Sequence, residues 1–215
     1  MEIFEKRLTE LADRAETRCY TTFSDFLNLE EESVFHTLHF NIDCYLFGGY
    51  DRAERCIAAF GHEISKDAFP IAIVKAESVS PKFADTLTHR DFLGSLMGLG
   101  IKREVLGDIV IADNVGYILC LNSIAEYVVQ NLNKVKHTSV KCSVIDKLPE
   151  TAVKKPEEKH ITAASERLDV IVSAVYNFSR SSVKELFNER KIYVNSRLCE
   201  NFSHIPKEND IISVR

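Results

Sequence analysis

Two apolar stripes near the end of the chain restrict its folding more than any other feature. Leu168, Ile171, Val172 and Val175 recur at i, i+3, i+4, i+7, and Val183, Leu186 and Phe187 repeat that spacing. Each stripe predicts a short helix that buries one narrow face. Asn177-Phe178-Ser179 breaks the period between them, and the Ser179 hydroxyl suits the free N–H groups that open the second helix. The result is a tight helix-turn-helix.

On the second helix, Arg180 and Lys184 stand four residues apart, on one ridge away from the apolar stripe. Two β-branched runs follow, at 191–195 and 210–215, with a further cation cluster at Arg190, Lys191 and Arg197. Two helices on small strands with cations along one edge suit a phosphate backbone. Arg167, Arg180, Lys184, Lys191 and Arg197 are therefore the candidate phosphate contacts, with Ser179 and Asn195 as neutral hydrogen-bonding partners. Asp169 reads as an internal partner for Arg167 or a helix-start charge rather than an RNA contact. Tyr176 and Tyr193 could stack on unpaired bases, although core or edge packing is the more usual role of such rings.

The pattern Arg167-Leu168-Asp169, Ser179-Arg180, Val194-Asn195 and Asn209-Asp210 resembles the small RNA-binding module named after ribosomal protein S-four. Relatives of that module place Gly before the Val-x-Val-Asn strand and in the Gly-Asp turn, where this chain has Arg190 and Asn209. They also often continue through a Gly-rich tail, so the resemblance implies a module lacking its last residues.

Net charge is −5 at neutral pH, which argues against indiscriminate adhesion to nucleic acid. Its distribution is uneven: residues 1–40 hold four Lys/Arg against nine Asp/Glu, while 161–215 hold eight against seven. A non-acidic module on an acidic body can bind RNA locally. Six cysteines are scattered without a C-x-x-C pair and read as buried reduced thiols. His36 and His39 have an H-x-x-H spacing that no further ligand completes, so neither a metal nor a cofactor is expected. No apolar run reaches membrane-spanning length and the N-terminus lacks signal-peptide form, so the expected location is cytoplasmic, with no membrane partner.

Taken in order, the chain divides into four parts. Residues 1–33 read as a small N-terminal helical segment, and 34–147 as an α+β domain. Strands are expected near 43–47, 70–76, 108–112, 117–121 and 139–144, and helices near 51–59, 89–99 and 123–133, packed on one face of a mixed sheet. Residues 148–164, rich in Pro, Lys and Glu, read as a linker, and 165–215 as the helix-turn-helix module.

Within the middle domain, Phe92, Leu93, Leu96 and Met97 form a helical core stripe. Gly94 and Gly98 would admit a close backbone, and Gly100 would end the helix. His89, Arg90, Lys102 and Arg103 form a candidate second RNA patch. His89-Arg90-Asp91 also spells a kinase catalytic-loop tripeptide, but the other kinase motifs are absent. Gly48-Gly49 reads as a turn before a helix.

Thr88 through Gly94, Gly98 through Arg103, Phe47-Gly48-Gly49-Tyr50 and Ala53-Glu54-Arg55 together resemble the YlmH family of bacterial proteins. That resemblance implies an RNA-recognition-like (RRM-like) middle domain and a C-terminal S-four-type module. It also implies binding to ribosomal RNA or tRNA on the large ribosomal subunit, in rescue of stalled ribosomes, and a gene in a cell-division neighbourhood. No catalytic signature is present, so a non-catalytic RNA-binding protein is expected. The alternatives are an RNA-modifying enzyme of the pseudouridine-synthase type and a cell-division interaction scaffold. A synthase would need a catalytic Asp, and Asp91 and Asp108 lie outside any such motif.

Overall fold

The computed structural model describes residues 2–153 and 158–215. Within the expected linker, residues 154–157 lie outside the described residues. The fold is α+β and divides into two compact units, Met1–Asn28 with Phe40–Lys155 and Leu29–His39 with Pro156–Arg215.

The first unit opens with α1 (Glu2–Arg18), which buries Leu8, Ala12 and Ala15, and continues into β1 (Thr22–Leu27), a strand absent from the sequence reading. The next element, α2 (Leu29–Phe35), belongs to the second unit. β2 (Cys44–Phe47) and β3 (Cys56–Phe60) complete an antiparallel sheet of order β1-β3-β2.

The helix expected over 51–59 is absent. Arg52 takes φ +68°, and the Glu54 N–H is drawn to the Asp108 carboxylate, 2.7 Å away. Ile57 to Phe60 then run fully buried through the middle of the sheet. Short apolar runs carry no period to separate helix from central strand.

β4 (Ile71–Ser78), α3 (His89–Gly98), β5 (Leu106–Ala112), β6 (Val115–Leu121), α4 (Asn122–Asn131), β7 (Lys134–Val135) and β8 (Thr138–Ile145) form the main layer. The sheet order is β5-β6-β4-β8-β7. Each helical crossover skips a strand, β4 to β5 over β6 and β6 to β8 over β4. Every neighbouring pair is therefore antiparallel, and the expected mixed sheet is not formed. This is the β-α-β-β-α-β arrangement of RRM-like domains. Phe92 and Leu96 bury one face of α3 against the sheet, and the missing Cβ of Gly116 leaves room for the Phe92 ring.

α3 ends as expected. Gly100 takes φ +79°, its N–H donates to Met97 O, and the Ile101 N–H donates to Leu96 O. Gly94 and Gly98, however, face open space, with no backbone packed against them. Only Cys120 and Cys142 of the six free cysteines are buried, and burial raises their pKa values to about 12 and about 11.

In the second unit, α5 (Leu168–Tyr176), α6 (Arg180–Asn188), β9 (Ile192–Val194), β10 (Arg197–Leu198) and β11 (Ile212–Val214) form two helices on a sheet of order β10-β9-β11. Leu168, Val172, Val183, Phe187 and Ile192 make its core. The N-terminal α2 packs on β10, where Ser33 Oγ accepts the Leu198 N–H at 2.8 Å.

Both positions that depart from the S-four pattern take the left-handed conformation. Arg190 has φ +57° and Asn209 has φ +68°. The Arg190 and Lys191 N–H groups donate to Phe187 O and Leu186 O, so Arg190 closes α6 where a glycine is usual.

Candidate nucleic-acid interface

The turn between α5 and α6 is fixed by its own hydrogen bonds. Asn177 takes φ +56° and its N–H donates to Ser173 O. The Phe178 N–H donates to the same carbonyl at 3.1 Å, and Ser173 Oγ–H donates back to Phe178 O at 2.7 Å. Ser179 then caps α6, its Oγ accepting the Ser182 N–H at 3.1 Å. The capping expected of Ser179 is present.

Arg180 and Lys184 are both exposed on α6, opposite the buried Val183 and Phe187. No ion pair among the described residues engages either cation. Their charges face water, and adjacent like charges on one ridge favour an incoming anion.

The other candidate residues of this unit have partners inside the fold. The Arg167 guanidinium donates twice to Asp169, at 3.0 and 2.9 Å, and lies over the Phe202 ring. The N–H groups of Leu168 and Asp169 donate to His204 O and Phe202 O, so the start of α5 presents no open donors at those positions. Lys191 pairs with Glu189.

Asn195 and Ser196 form a two-residue left-handed turn between β9 and β10. The Asn195 side chain donates to Asp210 at 2.8 Å and accepts the Ile211 N–H at 2.9 Å. Arg197 is exposed on β10 and close enough to His36 to help lower its pKa, after the larger effect of burial. Tyr193 is 3% exposed, so its ring is not available for stacking, whereas Tyr176 is exposed and lies parallel to Phe178. A groove of about 560 Å³ runs between residues 162–165 and the helix pair, with Arg167, Asp169, Ser173 and Arg180 among its polar walls.

In the first unit, His89 and Arg90 are exposed at the start of α3 and Lys102 lies beyond its end. A ten-residue helix separates them by about 15 Å, so the four candidate residues of this domain do not form one cluster. Arg103 turns inward: its guanidinium donates to Leu106 O and Gly107 O, both at 2.9 Å. Burial first, and the Arg55 charge beside it second, push its pKa down to about 10. Lys102 faces Glu104 at 3.6 Å.

The β7–β8 hairpin lies against α3, the helix that His89 and Arg90 open. α3 packs on β7, and Lys136 is close enough to Asp91 to contribute to its lowered pKa, behind two stronger hydrogen bonds from Thr88. Lys134, Lys136 and His137 are exposed there. The run Lys134-Val135-Lys136-His137 carries no turn dipeptide and directly follows the α4 stripe, so the sequence alone does not signal its hairpin.

Asp108 is nearly buried, accepting the Tyr50 hydroxyl at 2.8 Å and the Glu54 N–H at 2.7 Å. Arg55 donates from the same loop to Leu106 O and Phe26 O. These bonds tie the β2–β3 loop to β5. Among the described residues, no group of three or more His, Cys, Asp or Glu is placed to hold a metal ion, and no helix is long and apolar enough to cross a membrane.

Comparison with known proteins agrees with this architecture. Residues 65–148 match the family described as "Putative RNA-binding domain in YlmH". The chain is 30% identical over 207 residues to the "Ribosome-associated protein quality control protein P2" of Bacillus subtilis (strain 168), covering 89% of this chain and 76% of that protein. Its fold is similar to a solved structure titled "Cell division protein ylmH from Streptococcus pneumoniae", with a TM-score of 0.56 at 20% identity, covering 67% of this chain and 90% of that one.

Proposed function

This chain belongs to the YlmH family of RNA-binding proteins, and from that premise we propose that it is a non-catalytic factor that binds structured RNA on the large ribosomal subunit. Its role is quality control of stalled ribosomes in the cytoplasm, with ribosomal RNA and the retained tRNA as the RNA partners. The B. subtilis relative is described as a ribosome-associated quality control protein, which supports this placement. The observation that carries the reading is the exposed Arg180–Lys184 ridge on α6, whose two cations have no ion-pair partner among the described residues.

The mechanism is positional. Arg180 and Lys184 hold phosphates, and Arg197 adds a further exposed cation from β10. Arg167, Ser179, Lys191 and Asn195 act mainly by fixing the helices and turns that present them. In the first unit, Arg90 with Lys134 and Lys136, flanked by His89 and His137, forms a second RNA-facing surface that selects the site, while the C-terminal module supplies affinity. Because RNA is contacted through its backbone, recognition follows shape more than sequence. Asp91 is engaged in capping α3 and Asp108 in holding the β2–β3 loop, which speaks against either as the catalytic Asp of a modifying enzyme.

Sucrose-gradient sedimentation of the tagged full-length protein in lysate, at low and high salt, tests the reading. The expected result is migration with large subunits that high salt abolishes. Migration only with free protein or free tRNA would overturn it.

A further inference from the structure

Tyr176 and Phe178 stand on either side of the left-handed Asn177, with ring centroids 5.5 Å apart and planes within 12° of parallel. They remain 45% and 39% exposed. Large aromatic rings are ordinarily taken into a core, yet the α5–α6 core is closed without them by Leu168, Val172, Val183, Phe187 and Ile192. The rings are also held in place. Both main-chain polar groups of Phe178 are bonded to Ser173, so the second ring projects from a rigid turn.

Along the α5–α6 turn the charge has one sign. Between Asp169 and Glu185 the chain carries no carboxylate, while Arg180 and Lys184 follow Phe178 on the exposed face of α6. Lys159 Nζ donates to Val175 O at 2.9 Å, placing a third cation beside the last turn of α5. A rigid, solvent-facing aromatic stack beside unpaired cations matches a nucleotide, whose base has a flat apolar face and whose phosphate is anionic.

We infer that the Tyr176–Phe178 stack is the platform for an unpaired nucleobase of the bound RNA, with Arg180 and Lys184 taking the phosphates that flank it. This rests on the RNA-binding reading above and narrows its ligand to RNA with a bulged or looped nucleotide next to a paired stem. A duplex keeps its bases stacked on one another and offers none to the platform.

The test uses the full-length protein and two RNA hairpins, one carrying a bulged 2-aminopurine and one fully paired. Tyr176→Leu with Phe178→Leu keeps apolar bulk and removes the planar rings, and unchanged thermal melting shows that the variant folds. The wild type is expected to prefer the bulged hairpin and to quench its fluorescence. The double Leu variant is expected to lose the quenching and about tenfold in affinity for that hairpin, with affinity for the paired one unchanged. Arg180→Ala with Lys184→Ala should weaken binding to both. Equal affinity of the wild type for the two hairpins, or no change in the double Leu variant, would overturn the platform and leave phosphate binding standing. Loss of ribosome co-migration in that variant with unaltered hairpin binding would mean that the rings meet a protein, and would also overturn it. A wild type that binds neither hairpin would overturn both readings.

Discussion

Ser33 and Leu198 lie 165 residues apart in sequence, yet Ser33 Oγ accepts the Leu198 N–H at 2.8 Å. Through this bond and the packing of α2 on β10, a segment from the N-terminal region is part of the C-terminal module. Ser33→Ala leaves the Leu198 N–H without its acceptor and should destabilise the module by about 1 kcal/mol. Amide exchange at Leu198 is the direct measure, and exchange unchanged in the variant would show that the bond contributes nothing.

Arg190 closes α6 in a conformation that costs a side-chain-bearing residue about 1–2 kcal/mol. Glycine removes that strain while gaining freedom in the unfolded chain, and the exposed contact of Arg190 with Glu200 at 3.4 Å contributes little. Arg190→Gly should therefore stabilise the module by about 0.5–1 kcal/mol, read as a higher urea midpoint. A lower midpoint would mean that the ion pair outweighs the backbone strain.

Tyr50→Phe removes one of two hydrogen bonds to the nearly buried Asp108 carboxylate. Burial already raises the Asp108 pKa, and the two hydrogen bonds pull against that shift. Losing one donor should cost the first unit about 1–3 kcal/mol in chemical denaturation. No loss would show that water replaces the phenol at no cost.

The turn joining Asn195 to Asp210 should loosen in acid. The Lys207 N–H, first, and the Asn195 amide hold the Asp210 pKa below its ordinary value of 3.8. A carboxylate with a depressed folded pKa contributes stability above its unfolded value, and that contribution is lost as pH falls through the folded one. Amide exchange at Lys207 should accelerate below pH 3.8, and Asp210→Asn should remove that acid dependence. Acid-independent exchange in the wild type would contradict the account.

The parts of this fold that were legible in the sequence are those where local rules act alone. The stripes of α5 and α6, the cap at Ser179 and the Gly100 terminus follow from period and backbone preference. β3 falls where a helix is expected because Cys56–Phe60 is apolar without alternation, a pattern that a buried strand and a buried helix share. The attachment of α2 to β10 and the approach of Asp91 to Lys136 depend on pairings between distant segments. So do the partners of Arg103, Asn195 and Asp108, whose side chains could be placed only once the sheets were assembled.

The central claim is that the α6 ridge of Arg180 and Lys184 holds RNA phosphates. The most direct measurement is the salt dependence of RNA binding by the wild type and by Arg180→Ala with Lys184→Ala, both checked for folding. Each lost phosphate contact retains about one counterion, so the log–log slope should flatten by roughly one to two units. A folded double variant with an unchanged slope would contradict the claim.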